Sequence, residues 1–215
     1  MGKCTFLPLV LRIIDRDIIF TLQYLKTWFW TEDKKLLFFR ETAPAYNHIT
    51  KNPAIVLSET GTEELEKIID FWPADFSYYF HHKVELRKEL EWRFRHKYPC
   101  FTAYIENKLA GIVWCKPWLY ENSLPELTIG KQACEILNLA VSPEMRGKGI
   151  AVTLLQFSLE EINKKNTDIA FSRIFSNRTA SISAHKKCGF TLLGELRIHH
   201  FLKKKRVTLE TDHLT

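Results

Sequence analysis

Apolar and polar positions along this chain of 215 residues repeat with two different periods, and the switches between them outline its elements. Residues 18–30 and 36–40 are apolar and aromatic runs parted by Thr31-Glu32-Asp33-Lys34-Lys35, which predicts a hairpin. Residues 44–53 are rich in turn formers and read as a linker, and residues 55–58 read as a strand. Thr62 stands ahead of Glu63 and Glu64, where a capping hydroxyl and an acidic first turn suit the positive end of a helix. Leu65, Ile68 and Ile69 give that helix an apolar stripe, and Pro73 and Asp75 interrupt the chain after it. Leu86, Leu90 and Phe94 at helical spacing predict a second helix over residues 83–97. Residues 101–105 and 110–115 read as strands turning at Asn107-Lys108. A strand over 134–141, a helix over 149–164, a strand over 168–175, a helix over 179–188 and a last pair of strands over 190–210 complete the order. Strands interleaved with helices predict an α/β chain, and periodicity alone goes no further.

Composition narrows the class. Hydrophobic residues at 46% and aromatic residues at 13% supply a sizeable core for one domain, or one domain with an appendage. The cysteines (Cys4, Cys100, Cys115, Cys134 and Cys188) are five, scattered, and without a C-x-x-C pair. They fit a reducing compartment and argue against a disulfide framework. No apolar run is long enough to span a bilayer. The apolar stretch after Lys3 runs into Asp15-Arg16-Asp17 with no small-residue cleavage site, and Phe6 stands where a myristoylation pattern wants Ser or Thr. The expected location is the cytoplasm, with no membrane partner. His81-His82, His199-His200 and His213 lack partners at metal-ligand spacing, so no metal is expected. The net charge of +6 raises the question of nucleic acid. The densest basic run, residues 203–206, lies between two apolar runs and reads as a solvated hairpin tip. No nucleic-acid motif accompanies it, and nucleic acid is not an expected partner.

Candidate chemistry gathers after the central apolar run. Residues 136–141 lead into Ser142-Pro143-Glu144-Met145-Arg146-Gly147-Lys148-Gly149-Ile150-Ala151, a strand followed by a glycine loop and a helix start. Gly147 and Gly149 carry no Cβ, so their amides can crowd against a ligand. The first N–H groups of the helix have no internal partners and suit phosphate, and Arg146 and Lys148 add positive charge there. Neither G-x-G-x-x-G nor G-x-x-x-x-G-K-[ST] occurs in the chain, which sets aside the dinucleotide and nucleotide loops.

Arg146-x-x-Gly149-x-Ala151, preceded by Val141-x-Pro143 and followed by Leu154-Leu155, resembles the acyl-CoA-binding motif of the GCN5-related N-acetyltransferases. A second block resembles that family's following helix through Asn177, Ala180-Ser181-Ile182, Lys187 and Gly189-Phe190. The resemblance covers residues 53–215 and leaves residues 1–52 as an N-terminal extension. That extension is too apolar for a disordered tail; it could add strands to the sheet, cap the acceptor site or make a homodimer contact. The resemblance implies an α/β fold of α+β mixed character, the GNAT acyl-CoA N-acyltransferase fold, with a mixed central sheet flanked by helices. It implies acetyl-CoA as co-substrate and a primary amine as acceptor. It assigns Leu139, Val141, Arg146, Gly147, Lys148, Gly149, Ile150, Ala151, Asn177 and Lys187 to the cofactor. It also puts residues 71–97 beside the acceptor, although Trp28-Phe29-Trp30, Phe71-Trp72 and Tyr78-Tyr79-Phe80 suit a core as well.

Direct transfer needs a base for the amine, an acid for the departing thiolate and a donor for the carbonyl oxygen, all around one point. Glu135, eleven residues before Arg146, falls where the histone-acetylating relatives carry a basic glutamate. Entry into an apolar strand is expected to raise its pKa toward a useful value. His185 falls where the family most often has a tyrosine facing the cofactor sulfur, and an imidazole titrating near neutrality could serve as acid or as base. Two other readings stay open: a non-catalytic acyl-CoA-binding module whose N-terminal region contacts protein, and an acyltransferase for a longer acyl group.

Overall fold

The computed structural model describes residues 30–42, 53–72, 82–117, 131–201 and 204–210. Eight strands form one sheet in the order β2-β3-β4-β5-β6-β1-β7-β8. They are β1 (Trp30–Glu41), β2 (Val56–Thr60), β3 (Cys100–Ile105), β4 (Lys108–Pro117), β5 (Ala133–Val141), β6 (Ile169–Ile174), β7 (Thr191–Phe201) and β8 (Lys204–Glu210). The helices are α1 (Leu65–Phe71), α2 (Lys83–Arg95), α3 (Ile150–Lys164) and α4 (Thr179–Lys187). The mixed sheet with helices on both faces is the fold expected for the chain.

The faces follow from strand alternation. Phe38, Phe101, Val113, Ile136, Ala170 and Ile174 point to one face and pack under Ile150, Leu154, Leu155, Leu159 and Ile162 of α3. The other face carries Cys100, Ile112 and Trp114 against Ile68, Ile69, Leu86 and Leu90 of α1 and α2. Farther across it lie Leu37, Ile169, Phe171 and Leu196.

β5 and β6 are the parallel pair, and their ladder runs only from Ala133↔Ile169 to Ile136↔Ser172. Past that point β5 and β6 part. β5 also bulges there against β4: Ile112 pairs with Ala140 and Trp114 with Leu137, so Asn138 and Leu139 together stand across from Val113. Asn138 takes a left-handed backbone, φ 49°, which asparagine tolerates better than most residues. The sheet therefore opens at its centre.

Several local expectations change. The polar residues 31–35 are not a turn but part of β1, which pairs with β7 from Trp30 to Phe39 and with β6 only from Leu36 to Glu41. The polar half of β1 extends past β6. Of the three roles open to residues 1–52, strand addition is observed: β1 lies between β6 and β7. Thr62 is not a cap but the first residue of a short 3-10 turn (Thr62–Glu64), and the Glu63 carboxylate accepts the N–H of Gly61 at 2.8 Å instead. The β3–β4 turn is Glu106-Asn107, one residue earlier than expected; both have positive φ, as a tight two-residue hairpin turn requires. Lys204, Lys205 and Arg206 begin the edge strand β8 where it turns back from β7, with Lys204 opposite Phe201 at the end of the hairpin. The strand over residues 18–29, the 44–52 linker, the break at Pro73 and Asp75, and His81, Tyr78-Tyr79-Phe80, Lys203 and His213 lie outside the described residues.

Candidate functional site

The chain leaves β5 through a 3-10 turn (Pro143–Met145) and enters α3 across Gly147 and Gly149. Both glycines have φ of 79°, a conformation that L side chains avoid, and a Cβ added to either would meet nothing within 4 Å. The loop therefore borders open space. Gly149 caps α3, and no side chain bonds the free amides of the first turn.

That space is a cavity of about 610 Å³ where β5 and β6 part. Leu139, Val141, Arg146, Gly147, Gly149, Ile150, Ala151, Asn177 and Lys187 line it, and so does His185. Two expected residues do not. Lys148 turns its ammonium toward the Met145 sulfur, 3.4 Å away. Glu135 points to the opposite face, a consequence of alternation with Ile136, which does line the cavity. Residues 178–180 start α4 on the rim, so two helix N-termini converge on one space. Among the described residues, Arg146, Arg178 and Lys187 bring positive charge to the wall and no Asp or Glu lines it. An anion with an apolar portion suits this lining, which joins amides and cations to Ile136, Leu139, Ile174 and Phe175.

Glu135 is 2% exposed and does not stand alone. Arg173 donates to both of its oxygens, Nε to Oε1 at 2.5 Å and Nη2 to Oε2 at 2.7 Å. The carboxylate expected to serve as base is instead the acceptor of a two-pronged guanidinium bond. Parallel pairing of β5 with β6 brings the two side chains to the same face, which the linear sequence does not show.

His185 is 1% exposed and packs edge-on against Phe190, ring centres 5.0 Å apart. Its Nδ1 lies 2.8 Å from the Ser181 carbonyl oxygen. A carbonyl can only accept, so Nδ1 carries the proton and Nε2 presents a lone pair. Nε2 is buried without a hydrogen-bond partner. Burial holds the imidazole pKa down to about 4, against a smaller raising effect of the Ser181 carbonyl. The neutrality-titrating group expected here is thus a neutral ring with a fixed tautomer, an acceptor before it can be a donor.

Asn138, Ser172, Arg173 and Arg178 also line the cavity and were not singled out by sequence. A signal existed for two of them: Asn138 is a poor strand former inside an apolar run, and Arg173 interrupts another. No described residue between 71 and 97 lines the cavity. Phe71, Trp72 and Phe94 pack instead against the core under α1 and α2. Among the described residues, Cys100, Cys115, Cys134 and Cys188 are buried free thiols, and no group of three His, Cys, Asp or Glu side chains could hold a metal ion. No helix among them is long and apolar enough to cross a membrane.

The acetyltransferase (GNAT) family model matches residues 65–190, and the chain belongs to that family. Among solved structures, it resembles a GNAT acetyltransferase from Colwellia psychrerythraea at 18% identity and a TM-score of 0.53, covering 80% of this chain and 57% of that one. It resembles the ribosomal-protein-alanine N-acetyltransferase of Brucella melitensis at 20% identity and a TM-score of 0.51, covering 63% and 84%. A GCN5-related glucosamine N-acetyltransferase region of a fungal multi-domain GH3 β-N-acetylglucosaminidase aligns at 14% identity and a TM-score of 0.54, over 84% of this chain and 22% of that protein. Likeness at these identities establishes the fold. No curated protein matches the chain by sequence.

Proposed function

We propose that the protein transfers an acetyl group from acetyl-CoA to a primary amine by direct attack, with both substrates bound together. One observation carries the reading: the cavity at the parting of β5 and β6 joins an unobstructed glycine loop, two helix N-termini and the basic residues Arg146, Arg178 and Lys187 to a buried imidazole with a free lone pair.

The amides around Gly147, Gly149, Ile150 and Ala151, with Arg146, would hold the pyrophosphate, and Asn177 and Lys187 would border the rest of the cofactor. Leu139 and Val141 lie on the β5 edge beyond its ladder with β6, where a backbone N–H can serve the thioester carbonyl. Acetyl-CoA supplies the activated acyl group. His185 Nε2 takes a proton from the attacking nitrogen and returns it to the departing sulfur. A weakly basic imidazole releases that proton readily, which suits a relay better than a permanent acid. Among the described residues no cysteine lines the cavity, and burial pushes the Cys188 thiol up to about 12, which disfavours a covalent acyl-cysteine route. Glu135, held by Arg173, is assigned a structural part rather than that of base.

The test is calorimetric titration with acetyl-CoA, followed by thiol release across amino acids, amino sugars, polyamines and peptide N-termini. Binding with release for one class supports the transferase and names its acceptor. Binding without release moves the protein to the non-catalytic acyl-CoA module. Absence of binding overturns the assignment of the loop, and Gly149→Trp, which would fill the space above it, should abolish binding in the first two cases.

A further inference from the structure

Arg93 of α2 is a cation where a core residue would be expected, with its side chain 8% exposed. Its Nε donates to Glu89 Oε1 at 2.9 Å, its Nη1 donates to Asn138 Oδ1 at 2.8 Å, and its guanidinium carbon lies 5.3 Å from the Trp114 ring centre. Buried ion pairs are seldom more stabilising than apolar side chains of the same size, so stability alone gives little reason for an arginine here. Its partner gives one. Asn138 is the left-handed residue of the β5 bulge, two positions past the last β5–β6 pair, and it lines the cavity. A guanidinium only donates, so it orients the Asn138 carboxamide with the oxygen toward α2 and the NH2 end away from it.

We infer that Arg93 is a positioning residue for acyl transfer: it holds the β5 bulge through Asn138 and so sets the backbone of Asn138 and Leu139 that faces the reacting group. The inference rests on the proposed acetyl transfer at this cavity. α2 is thereby tied to the point of transfer by one side chain, across the sheet from α3. Misplacement of a reacting geometry by about 1 Å can cost about 100-fold in rate, so a small shift of the bulge is enough to matter.

The experiment compares Arg93→Met, which keeps the volume and loses the donors, with Arg93→Lys and Glu89→Gln. Hydrogen–deuterium exchange of the acetyl-CoA-free protein is read first. Arg93→Met should speed exchange across residues 137–140 about tenfold while α3 and β6 keep their protection; Glu89→Gln, which leaves the Asn138 bond in place, should not. Thiol release from acetyl-CoA is then measured with the best amine of the panel, or with water as acceptor if none is used. Arg93→Met should lower kcat about 10- to 100-fold with KM for acetyl-CoA changed less than about threefold, and Arg93→Lys should recover part of the loss. In an Asn138→Ala background, Arg93→Met should cost nothing more. Unchanged exchange at residues 137–140, or additive losses in the double variant, would overturn the inference while leaving the transferase reading intact. Failure of the wild-type protein to bind acetyl-CoA would remove the transferase reading, and the exchange result would still judge the hold of Arg93 on the bulge.

Discussion

Burial leaves His185 with its proton on Nδ1 and a bare Nε2, and this has a cost that varies with pH. The ring titrates at about 4 when folded and near 6.5 in an unfolded chain. Between those values the unfolded chain binds the extra proton and the folded one does not, so stability rises with pH across that window. The contribution is complete above about pH 6.5 and falls away as pH drops toward 4, by about 3 kcal/mol in all. Denaturant unfolding between pH 4 and 7 should show this slope, and His185→Phe should flatten it. The same variant should lower turnover far more than acetyl-CoA affinity; equal turnover would remove the imidazole from the chemistry. Glu135→Gln tests the opposite assignment. It strips the buried partner from Arg173 and should destabilise the fold by about 1–3 kcal/mol, seen as a lower Tm, with the rate–pH profile keeping its shape. A lost acidic limb would restore Glu135 as the base. Gly149→Ala should weaken acetyl-CoA binding in calorimetry, because φ of 79° strains an alanine by about 1 kcal/mol and its methyl enters the open space.

The elements were legible in different degrees for identifiable reasons. α3 could be read from sequence because Leu154, Leu155, Leu159 and Ile162 are buried on one face beneath an unmistakable glycine loop. β1 is less legible because the polarity of Thr31–Lys35 predicts a turn, whereas those residues pair with β7 where β6 no longer flanks them. β1 also does more than fill a gap. Phe38 lies 6.4 Å from the His185 ring, and an Arg40 guanidinium nitrogen donates to the Cys188 carbonyl at the end of α4. Removing that bond in Arg40→Leu should lower stability by about 1–2 kcal/mol, with His185 variants then adding less than their separate effects. On the far edge, a Cβ at Gly194 would sit 2.3 Å from the Glu210 carbonyl oxygen. Gly194→Val should therefore pry β8 from β7, lowering Tm while sparing acetyl-CoA affinity, because no described side chain of β7 or β8 lines the cavity.

For the molecule as a whole, the net charge of +6 has a focus. Among the described residues, Arg146, Arg178 and Lys187 line the cavity with no Asp or Glu beside them, while Lys67, Lys83, Arg87, Lys164 and Lys165 lie elsewhere against carboxylates. A polyanionic ligand is drawn to this basic lining. Acetyl-CoA affinity should weaken steadily as ionic strength rises from about 0.01 to 1 M, over which screening shortens from about 30 to 3 Å. A salt-independent Kd would argue that the backbone amides, and not the side chains, carry phosphate recognition.

The contiguous features were readable before any coordinates: the glycine loop and helix start at residues 146–151, the α4 block ending in Gly189-Phe190, and the family they define. These depend on neighbours in the chain, and local spacing carries their geometry. The pairing of Glu135 with Arg173, the bond from Arg93 to Asn138, the insertion of β1 between β6 and β7, and the fixed tautomer of His185 all had to wait for tertiary structure. Strand order and burial create them, joining residues 38 and 45 positions apart in the two side-chain pairs, and no local period records which strand will lie beside which.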